Sequence, residues 1–99
     1  MLDLTRIEEF EWDSGNERKG EKHAVTQQEA ERVFLNQPLL LLEDAKHSGT
    51  ESRFHALGKS FDGRLLHVAF TVRGGGVRIR VISLRPMHWK ERIVYEKTS

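Results

Sequence analysis

The run Asp44-Ala45-Lys46-His47-Ser48-Gly49-Thr50-Glu51-Ser52-Arg53 is the densest stretch of chemically able groups in the chain. It holds a lysine, a histidine, two carboxylates and an arginine. Such a set suits proton-transfer chemistry at a phosphodiester. Breaking that bond in RNA without a metal needs few parts. A base takes the 2′-hydroxyl proton, an acid protonates the leaving oxygen, and cations stabilise the charge on phosphorus. His47 and Glu51 are the candidates for base and acid, with their order open. Lys46, Arg53, Arg73 and Arg80 are the candidate cations, since a guanidinium grips two phosphate oxygens at once. The plainer reading is an ordinary polar loop, because Lys-His-Ser on a surface is inert in most proteins.

The elements that must position these groups follow from periodicity. Phe10-Glu11-Trp12 reads as a short strand. Asp13 is placed to cap a weak, polar helix running to about His23. Thr26-Gln27-Gln28-Glu29 is a capping box opening a second helix, with Ala30, Val33 and Phe34 on one face and Pro38 as its stop. Leu39 to Leu42 suits a buried strand, and Asp44 to Ser52 a loop. Strands follow at Arg53–Ser60, Arg64–Arg73 and Val77–Leu84, separated by Asp62-Gly63 and by Gly74-Gly75-Gly76. Pro86 fits the first turn of a last helix that sends Trp89, Ile93 and Val94 to the core. The pattern is α+β: a mostly antiparallel sheet of four to five strands, two N-terminal helices and one C-terminal helix, all on one face.

Strand alternation then sorts the side chains. Leu66, Val68, Phe70 and Val72 share a face with Val77, Ile79, Val81, Phe54 and Ala56. The other face gathers Arg53, His55, His67, Arg73, Arg78 and Arg80, with Arg85 in reach. Those cations repel one another unless an anion lies between them, so convergence of Arg53, Arg73 and Arg80 on a phosphate is the central expectation. Internal ion pairing of these arginines is the observation that counts against it. Outward basic residues on strands are otherwise solvated edge guards.

Charge divides along the chain. The net charge is +1 over 99 residues. Residues 1–51 hold 6 Lys/Arg and 12 Asp/Glu, a net of −6, whereas residues 52–99 hold 10 and 3, a net of +7. The basic half suits a polyanion, or the two halves neutralise each other in the fold. A hydrophobic fraction of 37% is low for a stand-alone globule and hints at a partner. Without cysteine there is no disulfide framework, thiolate zinc site or cysteine nucleophile. The histidines lack metal-binding spacing, the triple glycine lacks the Lys-Ser/Thr of a phosphate loop, and no Ser-His-Asp pattern stands out. No cofactor or metal is expected. No run approaches the roughly 18–20 apolar residues of a membrane span, and Met1 to Phe10 lacks the apolar stretch of a signal peptide, so the cytoplasm is the expected location. The length suits one domain, residues 1–99.

The chain resembles the BrnT toxin family from Phe10 to Lys97. The blocks are Phe10-Glu11-Trp12-Asp13, Gly15-Asn16, Lys19 and Lys22-His23; Glu29-Ala30 and Val33-Phe34; Asp44, Lys46-His47-Ser48, Glu51, Arg53 and Leu57-Gly58; Gly63 to Leu66, Phe70 to Gly74 and Ile79 to Arg85; and Met87, Glu91-Arg92 and Tyr95-Glu96. Gly20 stands where that family commonly has an asparagine. The resemblance implies a RelE-like fold and a ribonuclease that halts translation. It implies a BrnA-like ribbon-helix-helix antitoxin as partner, with operator DNA reached only through that antitoxin. It also implies functional roles for Lys46, His47, Glu51, Arg53, Arg73, Arg80 and Arg85. His67 and Arg78, on the same sheet face, join Arg85 as expected RNA contacts. Two other functions fit the residues: a non-catalytic basic module for RNA or an acidic protein, and a structural half of a complex.

Overall fold

The computed structural model describes residues 2–98. Five strands form one sheet in the order β1-β5-β4-β3-β2. They are β1 (Glu9–Glu11), β2 (Leu40–Glu43), β3 (Arg53–Lys59), β4 (Leu65–Arg73) and β5 (Arg78–Pro86), with helices α1 (Gln27–Val33) and α2 (Trp89–Glu96). Neighbours are antiparallel except β1, which runs parallel to β5.

The capping box forms as the sequence indicates, with Thr26 and Glu29 bonding each other's backbone. It launches α1, which buries Ala30 and Val33 against Ala56, Leu66, Val68, Phe70, Ile79 and Val81 of the sheet. Phe34 touches Phe10 and Phe70, with ring centroids at 5.5 and 5.0 Å, so the end of α1 joins β1 to the centre of the sheet. At Gly58 a Cβ would stand 2.9 Å from the Val33 side chain, so glycine lets α1 lie close on β3.

Five expectations change. The first helix does not form: residues 14–20 are turns, followed by a single 3-10 turn at Glu21–His23. This segment has no apolar stripe to bury, and specific anchors replace helical bonds. Asn16 is 2% exposed; its amide donates to the carbonyls of Glu11 and Val81, both at 2.9 Å. The leucine run is an edge strand rather than a buried one, and Leu42 is exposed. The helices lie on opposite faces. Leu57, one residue out of phase with Ala56, packs with Met87 and Tyr95, which places α2 on the side away from α1. Pro86 ends β5 instead of starting α2. Glu91 and Tyr95, four residues apart, then set the rotation of α2: Glu91 grips Arg85 and the Tyr95 hydroxyl donates to the Pro38 carbonyl at 2.6 Å. Trp89, Ile93 and Val94, expected in the core, are consequently exposed.

Candidate active site

Alternation holds on β3, β4 and the first half of β5. Arg53 pairs with Thr71, Thr71 with Arg80 and Arg73 with Arg78, so these side chains share the face opposite α1. A register shift then puts Val81 beside Phe70 and Ser83 beside Ala69, leaving Ile82 as the extra residue of a bulge. Val81 and Leu84 both stay buried while Ile82 and Ser83 turn outward. Arg85 regains the polar face opposite His67.

The anions between the arginines are the chain's own. Parallel register sets Glu9 beside Arg78 and Glu11 beside Arg80. Arg80 binds Asp13 at 2.8 and 3.0 Å and Glu11 at 3.0 Å. Arg73 binds Glu51 at 2.8 and 3.2 Å and Glu11 at 3.0 Å. Arg78 lies 3.4 Å from Glu11, and Arg85 is bidentate to Glu91 at 2.8 and 2.9 Å. Arg80 holds the Asp13 carboxyl below its usual range, and Arg73 does the same to Glu51. The expected open convergence of Arg53, Arg73 and Arg80 on a phosphate is thus corrected. The three share a face, but Arg73 and Arg80 are locked in internal ion pairs. Among the described residues, Arg53 is the arginine of this face without a carboxylate partner.

Arg53 lines a cleft of about 260 Å³ with His47, Gly49, Thr50, Glu51, Thr71 and Ile82. The Asp44–Arg53 loop is stiffened from within. The Ser48 hydroxyl donates to the Asp44 carbonyl at 2.7 Å and accepts from the Arg53 backbone at 2.9 Å. Thr71 donates to the Ser52 carbonyl at 2.7 Å. Asp44 is the hub, with its side chain only 9% exposed. It accepts from the His47 backbone at 3.1 Å, from His47 Nδ1 at 2.9 Å and from His55 Nε2 at 2.8 Å. Burial raises the Asp44 carboxyl, but the bonds from His55 and His47 outweigh it and hold the group at about 2. An ionised carboxylate only accepts, so His47 carries a proton on Nδ1, and in the neutral ring Nε2 is the acceptor. The His47 side chain is 58% exposed.

Other expected site residues fall elsewhere. His67 is 5% exposed and bonds His55 at 2.7 Å, so it is no surface contact for RNA. Burial, then the Arg85 charge, push it down to about 4. Arg78 sits beside β1, outside the cleft. Lys46 is exposed beside His47 without lining the cleft. Sequence reasoning passed over Asp44, Glu11 and Asp13 as partners. Asp44 had a signal in its three-residue spacing from His47, which permits a side-chain-to-backbone turn. Glu11 and Asp13 had none, because their role depends on where β1 joins the sheet. A larger cleft of about 660 Å³ shares Thr50 and Glu51 with this one, but Asp3, Glu43 and Glu51 outnumber Arg6 in its walls and disfavour an anion. Among the described residues, no group of three or more His, Asp or Glu is arranged to hold a metal, and no helix is long and apolar enough to cross a membrane.

Comparison with known proteins sets the class. Residues 12–91 match a family model described as the ribonuclease toxin of a type II toxin–antitoxin system. The chain belongs to that family, BrnT, so RNA is its target class and an antitoxin its partner. No curated protein matches the chain.

Proposed function

We propose that this chain is an endoribonuclease that cleaves by 2′-hydroxyl attack in the cleft between His47 and Arg53. Arg53 grips the non-bridging oxygens of the scissile phosphate. His47 Nε2 takes the 2′-hydroxyl proton, the 2′ oxygen bonds to phosphorus, and the bond to the 5′ oxygen breaks. The leaving oxygen takes a proton from solvent, which also restores His47, and Lys46 adds positive charge beside the cleft. The products end in a 2′,3′-cyclic phosphate and a 5′-hydroxyl. Glu51, ionised and clamped by Arg73, is a poor proton carrier and serves to hold the cleft wall. Asp44 fixes the His47 tautomer, as an acidic partner does in other histidine-dependent sites. RNA cleavage halts translation, and a BrnA-like ribbon-helix-helix antitoxin restrains the toxin and carries it to operator DNA. No metal enters this scheme. The arrangement is read as RelE-like.

The observation that carries this reading is Arg53, the guanidinium of the face left without a carboxylate among the described residues, set in the same cleft as an oriented histidine. Purified chain and 5′-labelled RNA test it. Arg53→Ala and His47→Ala are each expected to slow cleavage by about 10²-fold or more with the fold retained. Wild-type cleavage by Arg53→Ala would overturn the assignment. The pairing of Arg73 and Arg80 favours the second reading, a module that binds without cutting. RNA bound by the wild-type chain yet never shortened would establish that reading instead.

A further inference from the structure

We propose that Lys19 and Lys22, in a second groove lined also by His23, Ser83 and Arg85, bind the phosphates of an RNA strand leading into the cleft. The inference rests on the ribonuclease reading above and adds a substrate path to it. The groove measures about 510 Å³. Ile82 lines both this groove and the cleft of His47 and Arg53, so the two concavities meet at the β5 bulge. Ile82 turns outward there because the bulge breaks the alternation of the strand. The result is two cationic hollows separated by one apolar side chain, a surface suited to a sugar or base between phosphates.

Charge favours the same occupant. Most basic side chains of the polar face are cancelled by Glu9, Glu11, Asp13, Glu51 and Glu91. In the groove, Arg18 is answered by Glu21 at 3.0 Å, but Lys19 and Lys22 have no acidic partner among the described residues. Unpaired positive charge is therefore present in both the groove and the cleft, which meet at Ile82. The lysines also stand on a fixed segment. Asn16 ties its start to Glu11 and Val81. Gly20 lies so close under the Val25 carbonyl and the Leu84 side chain that a Cβ would collide with both. That closeness gives the glycine a packing role and fixes the direction in which its neighbours Lys19 and Lys22 leave the backbone.

The test uses the full chain and the Lys19→Ala/Lys22→Ala double variant. Both lysines are exposed, so the variant should fold. Binding of a fluorescein-labelled 2′-O-methyl 12-nucleotide uridine strand, which cannot be cut, is measured by anisotropy over a salt series. The log–log slope is expected to be shallower by about 1.4 in the variant, from two lost phosphate contacts. The variant should also cleave a ribodinucleotide at the wild-type rate while cutting an unmodified 12-mer about tenfold more slowly. Equal slopes would overturn the groove. So would equal losses on dinucleotide and 12-mer, which would put the lysines in the cleft or the fold. Unchanged 12-mer binding together with lost poly-glutamate binding would overturn it in favour of an acidic protein segment. If the wild-type chain cuts neither substrate, the ribonuclease reading fails, and the slopes still decide the groove.

Discussion

At the scale of single residues, the molecule depends on which histidines keep a free nitrogen. Asp44 consumes Nδ1 of His47 and Nε2 of His55, and His55 in turn meets His67 at 2.7 Å. Replacing the carboxylate tests the first link. Asp44→Asn is expected to lower the Nδ1–H tautomer population of His47, read from its ring 15N shifts, and to slow cleavage by about tenfold. Unchanged shifts would remove Asp44 from its positioning role. The second link is His67, held neutral by burial at about 4. Its pKa lies below the unfolded value of 6.5, so the unfolded chain binds more protons between the two. Stability from this residue is complete above pH 6.5 and falls as pH drops towards 4, by on the order of 2 kcal/mol. Urea midpoints between pH 7.5 and 5 should decline less in His67→Gln than in wild type; parallel declines would contradict the assignment. The alternation of His55 and His67 with apolar neighbours was legible in the sequence. The burial of His67 was not, because it comes from α2 crossing that face, and the pattern of Trp89, Ile93 and Val94 pointed to a different rotation of that helix.

At the scale of elements, local chemistry was readable and long-range docking was not. The capping box of α1, the turns at Asp62-Gly63 and Gly74-Gly75-Gly76 and the polar face of β3 and β4 all follow from residues close in sequence. The turns at residues 14–20 were misread as a helix because nothing nearby reports that Asn16 will reach Val81. The parallel docking of β1 on β5 was likewise invisible, and it decides the electrostatics of the site. Arg80 shows the consequence. As an outward strand residue its truncation should cost little, about 0.5 kcal/mol. Its side chain is instead 16% exposed and answers Glu11 and Asp13 together. Arg80→Ala leaves Asp13 without its cation and Glu11 with Arg73 and Arg78 alone, so its melting temperature is expected to fall below that of Arg53→Ala. Equal melting temperatures would mean that β1 does not depend on the ionic seam. On the other face, Gly58→Ala should cost about 1–3 kcal/mol, measured by urea unfolding, because its Cβ meets the Val33 side chain at 2.9 Å. A smaller loss would show that α1 can slide on β3.

At the scale of the whole molecule, the acidic first half and the basic second half are joined by pairs that run between them: Glu11 and Asp13 to Arg73 and Arg80, and Glu29 to Arg64. Both readings of the charge division hold in part. The halves neutralise each other over much of the sheet, and around the cleft and the groove the cations left without a carboxylate partner among the described residues are Lys19, Lys22, Lys46 and Arg53. A strand of RNA therefore meets about four free cations rather than the full set of basic side chains on that face. Each phosphate neutralised on a single strand contributes about −0.7 to the slope of log K against log salt. Four contacts give a slope of about −3; adding Arg73, Arg78, Arg80 and Arg85 would bring it nearer −6. The internal carboxylates have the advantage in that competition. They are held in register by β1 and by the loop, whereas a phosphate must displace them and lose its own freedom. A measured slope near −3 is expected. A slope near −6 would mean that RNA strips Glu11, Asp13 and Glu51 from their arginines, and that the closed network is a resting state opened by substrate.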